Sequence, residues 1–337
     1  MVGPVIAIKR DDTGSLDDLF GYTSENVENT STIEVVSSDL SEVVKEYLHI
    51  YNHVDDSNLD GKCTNIILSP KEINSAIQLI CTLPEHKRHP YYYVTGNFFN
   101  TLIKNSYDAG YNDFNFNFSS DILINELGRK IKATKKRPLK INIIGDVGED
   151  FCREAHFINA NVTGNVGKMA FGWSRRNNAS IIGNVDYSFA AYSHDCNFKI
   201  KGNVERGFAI NSYDLDCKIL GDVGRVFGNQ SRDLNALIKG YVGDNFGAYS
   251  KCLDAVIMGN TSYAFGAYSH RLKAVISGHV RSFVETLPNS EIYVSGQVQS
   301  GWDYVRGQKG IDASYSVKDN EIFKSKIKKL EEAMEKW

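Results

Sequence analysis

No stretch of the 337-residue sequence approaches the roughly 18 consecutive apolar residues that a bilayer-spanning helix requires. The start, Met1-Val-Gly-Pro-Val-Ile-Ala-Ile-Lys-Arg, has no basic segment ahead of a long apolar run, so no secretory leader is expected and the chain is read as cytoplasmic, away from the membrane. Excess charge of one sign is missing too: 38 Lys and Arg stand against 41 Asp and Glu, a formal net charge of -3. Nucleic acid is therefore not an expected partner, and any charged partner has to be met by a local patch. The six cysteines, Cys63, Cys81, Cys152, Cys196, Cys217 and Cys252, show neither Cys-x-x-Cys nor Cys/His ligand spacing, which disfavours zinc and iron–sulfur sites and points to reduced thiols. Asn161-Val-Thr and Asn260-Thr-Ser fit the glycosylation pattern but are discounted without a leader. A Ser/His/Asp order, a metalloprotease helix and a dinucleotide fingerprint are all lacking, and no cofactor is expected. What remains, at 42% hydrophobic and 23% charged, is the composition of a globular protein with ample core.

The feature that organises the chain is a period. Gly145, Gly164, Gly183, Gly202, Gly221, Gly240, Gly259 and Gly278 follow one another every 19 residues, and Gly296 comes 18 later. Counting from each glycine as position zero, position two is valine in every repeat except the one that carries Thr261. Position six holds Phe151, Phe189, Phe208, Phe227, Phe246 and Phe265, with Phe171 and Phe283 displaced by one residue. Position ten is serine from Ser174 to Ser269, and position seventeen is Val162 and then isoleucine from Ile181 to Ile276. Positions thirteen, fifteen and seventeen alternate apolar, as in Leu234, Ala236 and Ile238, which is the period of a strand. Nineteen residues suffice for one turn of a parallel β-coil, whose stacking piles equivalent residues into columns about 4.8 Å apart, so about nine coils would make a rod roughly 40 Å long.

Two repeats, Gly221-Asp-Val-Gly224-Arg-Val-Phe-Gly228 and Gly240-Tyr-Val-Gly243-Asp-Asn-Phe-Gly247, spell G-x-x-G-x-x-x-G. That motif on coils of this length resembles the glycine-repeat β-helix domain found at the C-terminus of the glutamate synthase large subunit and in formylmethanofuran dehydrogenase. The resemblance covers about residues 145–300. It implies a right-handed parallel β-helix acting as a non-catalytic scaffold, and it carries no catalytic residue over. The repeats at Gly183 and Gly202 lack the second glycine, and phenylalanine and serine ladders replace much of the family's glycine, which marks a divergent member.

The flanks read differently. Residues 1–60 form an N-terminal segment, partly irregular between 11 and 38, with a helix near 39–51. Residues 61–138 read as a strand–helix (α/β) cap continuous with the solenoid: strands at Thr64–Leu68, Tyr91–Val94 and Phe114–Phe118, each followed by a helix, near 70–83, 98–109 and 121–135. The first of these helices has Ser69, Pro70 and Glu72 arranged as a capping box with proline at the first turn. The β-helix proper is expected over 139–305, and residues 306–337 as a linker and C-terminal amphipathic helix bearing Ile322, Phe323, Ile327, Leu330, Met334 and Trp337. Outward position sixteen turns apolar at Leu237, Val256 and Val275, the expected seat of that helix.

Two columns carry chemistry. Position eleven holds His156, Arg175, His194, Tyr213, Arg232, Lys251 and His270, a basic line that suits an anionic polymer or an acidic partner. Position twelve places Asp195, Asp214 and Asp233 on successive coils, where stacked carboxylates could bind a divalent cation or supply acid–base groups against an acidic glycan. The serine column reads as structural. The leading expectation is a non-catalytic β-solenoid scaffold with protein partners, and homo-oligomers possible. One alternative is a glycan-active, anion-binding or metal-binding β-helix that uses the Asp column. The other is an accessory subunit of an amidotransferase-like or formyl-transfer complex.

Overall fold

A computed structural model describes residues 38–53, 65–83, 85, 92–118, 122–283 and 290–300, together with Ser325 and Lys328. Three helices come first: α1 (Ser38–Asn52), α2 (Pro70–Ile80) and α3 (Tyr92–Asp108). The strands are β1 (Asp113–Asn117), β2 (Leu139–Ile144), β3 (Ile158–Thr163), β4 (Asn178–Ile182), β5 (His194–Lys201) and β6 (Tyr213–Ile219). They continue as β7 (Arg232–Ile238), β8 (Lys251–Ile257), β9 (His270–Ile276), β10 (Val280–Ser282), β11 (Glu291–Val294) and β12 (Val298–Ser300). Ten of these, β1 to β9 and then β11, form one parallel sheet in chain order, and β10 pairs with β12. This is the stacked parallel β-solenoid that the 19-residue period predicts. None of the described helices is long and apolar enough to cross a membrane.

The register follows the period. Leu215, Cys217 and Ile219 lie opposite Leu234, Ala236 and Ile238, which lie opposite Leu253, Ala255 and Ile257. The position-two valines form a second ladder of single bridges from Val147 to Val280, broken in type only by Thr261. Inside, the rings of Phe208, Phe227, Phe246 and Phe265 stack in parallel at 4.9–5.1 Å, close to the strand spacing. Where the sequence displaces a ring the stack turns edge-on: Phe171 meets Phe151 at 90° and Phe283 meets Phe265 at 79°. Serines 174, 193, 212, 231, 250 and 269 are buried. Ser193, Ser212, Ser231 and Ser250 each donate to the carbonyl three residues back at 2.6 Å, so these hydroxyls are engaged structurally.

Between the valine and the strand the chain winds in an arc of alternating conformations. In the coil that begins at Gly240, Asn245, Gly247 and Tyr249 have φ of 58°, 62° and 58°. The N–H groups of Asn245 and Tyr249 donate forward to Tyr263 and Ala267, while those of Gly247 and Lys251 donate back to Phe227 and Ser231. Each left-handed residue other than glycine costs about 1–2 kcal/mol, and the ladder bonds between coils offset it. Asparagine and aspartate directly after the glycines add a further ladder: the Oδ1 atoms of Asn165, Asn184 and Asn203 accept from the backbone N–H of Asn184, Asn203 and Asp222 at 2.9–3.0 Å.

The cap departs from expectation in three places. The Ser69 capping box stands as predicted, with Ser69 N–H donating to Glu72 Oε2 at 2.7 Å. Residues 65–69, however, are not a strand. Their backbone is satisfied by α3 side chains, Asn105 Nδ2 donating to the Ile66 carbonyl and Ser106 Oγ to that of Leu68. Tyr92 to Val94 belong to α3, because Val94, Phe98, Leu102 and Ser106 recur every four residues on its buried face. The helix expected over 121–135 is absent among the described residues of that range. Glu126, Gly128 and Lys130 have φ of 61°, 79° and 58°, and Glu126, Lys130 and Ala133 donate to carbonyls of the next coil, so the solenoid already begins there. Asn100 of α3 clamps this turn, donating to the Glu126 carbonyl and accepting from Gly128 N–H. Phe114 and Phe116 form the buried face of β1, Phe118 continues it just past the strand, as their alternation predicts, and the three join helices and coils in one continuous core.

The outward column of position sixteen runs from exposed Lys199 through half-buried Leu237 and Val256 to Val275, only 2% exposed. Apart from Ser325 and Lys328, the helix expected to cover it lies outside the described residues, as do Cys63 and the stretch expected to be irregular from 11 to 38, except Ser38, which opens α1.

Candidate functional site

The position-eleven residues form one continuous ladder. His156 bridges Arg175, Arg175 bridges His194, and the strand register then aligns His194, Tyr213, Arg232, Lys251 and His270. The line extends one step further than the period shows, since Lys132 bridges His156 from outside the 19-residue repeats. Arg175, Arg232, Lys251 and His270 are exposed, whereas His194 is 9% exposed and stacks on Tyr213 at 4.5 Å. Burial holds the His156 ring below the usual histidine range, and Lys132, Arg175, His194 and Arg176 add to that by charge. A local positive field thus exists at the first coils despite the net charge of the chain.

The aspartate column has a different physical basis. Asp195, Asp214 and Asp233 have φ of 56°, 53° and 52° and sit where the ladder skips a residue between positions eleven and thirteen. Aspartate tolerates the left-handed region better than most residues, and the same position holds Arg176, Cys252 and Arg271 in the same conformation. Asp195 is engaged by Arg176 Nε at 3.5 Å and lies 3.2 Å from His194 Nδ1. Among the described residues no group of three His, Cys, Asp or Glu side chains is placed to hold a metal ion.

Exposed aromatics stand at two positions of the coil, at nine as two pairs separated by Asn211 and Gln230, and at four singly. At position nine Trp173 and Tyr192 stack at 4.8 Å and 8°, and Tyr249 and Tyr268 at 5.0 Å and 17°. At position four Tyr187 lies beneath Lys168, and Tyr263 beneath Arg281 at 4.1 Å. All six aromatics are exposed by 40–55%. Trp173, Tyr192, Tyr249 and Tyr268 have φ of 53–60°, so their placement is set by the same backbone alternation that builds the coil.

Two open grooves border these columns. One, of about 610 Å³, lies against the first coils and is lined by Lys135, Pro138, Phe157, Asn159, Arg176, Asn178 and Asp195. The other, of about 510 Å³, is lined by Gly224 and Gly243 together with Asp222, Arg225, Tyr241, Asp244 and Tyr263. The Ser262 hydroxyl donates to Asp244 and holds that carboxyl below its ordinary value. Of the three stacked aspartates only Asp195 borders a groove.

Fold and surface together define a β-solenoid with shallow, open, side-chain-rich faces. Compared with known proteins, the chain matches no family model, no curated protein and no solved structure.

Proposed function

We propose that this protein is a binding scaffold, a β-solenoid whose turn arc presents an ordered aromatic and basic surface to a protein partner. The observation that carries the reading is the placement of Trp173, Tyr192, Tyr249 and Tyr268 two residues before Arg175, His194, Lys251 and His270 of the position-eleven ladder, in two stacked pairs separated by Asn211 and Gln230. Tyrosine, tryptophan and arginine are the residues on which protein interfaces concentrate their energy, since they offer large contact area with few rotatable bonds and a polar handle. Here the rings are fixed by stacking, so a partner meets them with little further loss of side-chain entropy. The phenol hydroxyls and the bases make the face a donor surface, which favours an acidic or carbonyl-rich counterpart.

Site-specific photo-crosslinking tests this reading. A crosslinking residue at Tyr192 or Tyr249 is expected to capture one discrete protein in the native cells, and the same residue at Lys199, on the outer face of the sheet, is expected to capture none. Capture at Lys199 alone would overturn the assignment of the face.

A further inference from the structure

Residues 129–140, Arg-Lys-Ile-Lys-Ala-Thr-Lys-Lys-Arg-Pro-Leu-Lys, hold seven bases in twelve positions, a concentration that the near-neutral chain shows in no other equally short segment. Arg129 pairs with Glu126, Arg137 lies 4.0 Å over the Tyr107 ring and donates to the Tyr107 carbonyl, and Lys140 lies 3.6 Å from Asp113. Lys132, Lys135 and Lys136 are exposed.

The segment is built as a fixed shelf. Arg137 N–H donates to the Thr134 carbonyl at 3.1 Å and closes a turn with Lys135 and Lys136 at its tip. Tyr107 of α3 ties both ends of that turn: its hydroxyl donates to the Arg137 carbonyl at 2.6 Å and accepts from Thr134 N–H at 3.1 Å. Beyond the coil of His156, Arg175 and Arg176 are exposed on the coil that begins at Gly164, and Lys135 and Arg176 line the groove of about 610 Å³. The one acid in that lining, Asp195, is already held by Arg176. The floor is an amide ladder, with Asn178 Nδ2 donating to Asn159 Oδ1 at 2.8 Å, and the register carries it onward to Asn197.

We propose that this shelf and groove bind an acidic polysaccharide laid along the coil axis, its carboxylate or sulfate groups on Lys135, Lys136 and Arg176 and its hydroxyls on the Asn159–Asn178 ladder. The charge complement is a polyanion that spans more than one coil, because Lys135 and Lys136 stand on the shelf and Arg175 and Arg176 on the coil that begins at Gly164. Amides that repeat once per coil offer a donor and an acceptor at each step, which suits a polyhydroxyl chain. Single-stranded nucleic acid needs open aromatic faces for its bases, and the aromatic of this groove, Phe157, is half-buried with Arg176 over its ring at 5.5 Å. The site lies on the strand side of the coil, apart from the position-nine aromatics, and stands independently of the scaffold reading.

Fluorescence anisotropy on the full chain tests it, with labelled heparin oligosaccharide as the sulfated probe, oligogalacturonate as the carboxylated probe and oligouridylate of matched charge as comparison. One of the two saccharides is expected to bind at low ionic strength, to weaken about tenfold or more in the Lys135→Glu/Lys136→Glu variant, and to weaken several-fold in Asn178→Ala. All three substitutions are at exposed positions, and an unchanged melting temperature of each variant confirms the fold. The proposal is overturned if neither saccharide binds, if oligouridylate binds as tightly as the better saccharide, or if Asn178→Ala leaves saccharide affinity unchanged.

Discussion

A β-carbon placed on Gly221 would stand 2.5 Å from the carbonyl carbon of Gly202 in the coil before it. The same relation recurs between Gly183 and Gly164, so the glycine beat records the close approach of successive backbones at one edge of the coil. Gly228 is different: its φ of 61° is matched by Ala190 and Ala209 at the equivalent position, where the chain accommodates a methyl group. Gly221→Ala is therefore expected to destabilise the protein by about 1–3 kcal/mol or more through overpacking against backbone, and Gly228→Ala by less. Urea midpoints of the two variants check the order, and equal midpoints would remove close approach as the reason for the period.

Phe227 stacks on Phe208 and Phe246 at 4.9 Å on both sides and is fully buried. Phe227→Ala is expected to cost about 3–5 kcal/mol, because neighbouring coils held by ladder bonds cannot collapse into the space. Thermal and urea denaturation measure it. A loss below about 1 kcal/mol would mean that the ladder of rings is not a principal stabiliser.

His156 makes stability fall with acid. Its folded-state value lies below that of an unfolded histidine, about 6.5, first through burial and then through the charges of Lys132, Arg175, His194 and Arg176. The unfolded chain therefore takes up the proton first, and stability is full above about pH 6.5 and declines as pH drops toward the lower folded value. Melting temperatures between about pH 7 and pH 5.5 should fall in the native protein and fall less in His156→Gln. Identical declines would assign the effect to other groups.

Cys81 and Cys196 have thiols pushed up by burial to about 12 and about 11, and burial also raises Cys152 and Cys217. The reactive thiolate is then negligible near pH 8. In native protein these four are expected to resist iodoacetamide and to react together once the coil is unfolded in urea, as read by mass spectrometry of peptides. Rapid alkylation of any one of them in the native state would contradict its burial.

Much of this architecture is legible in the sequence because each coil faces a copy of itself. Like residues pile up, so Val147 to Val280, Phe189 to Phe265 and the serines each announce a column before any coordinate is known. The cap is less legible. Short apolar runs such as Tyr92–Val94 read as strand or helix with equal ease, and residues 122–135 lie outside the 19-residue beat although they already wind as a coil. The proposed binding surface is only half legible. The basic column shows in its period, whereas the exposure of Trp173, Tyr192, Tyr249 and Tyr268 depends on left-handed residues that carry no glycine to mark them. The Asn and Asp residues after the glycines at 164, 183, 202 and 221 were a visible signal of the hydrogen-bonded ladder, and their role emerges only from the close pairing of coils.

The central claim is that the aromatic turn arc holds a protein partner. Native mass spectrometry of the protein isolated gently from its own cells tests it most directly, beside a variant with Trp173, Tyr192, Tyr249 and Tyr268 each replaced by serine. The account predicts a second protein in simple ratio on the native chain, lost from the variant while its melting temperature stays within a few degrees. A native chain that flies alone, or a complex that survives the four replacements, would contradict it.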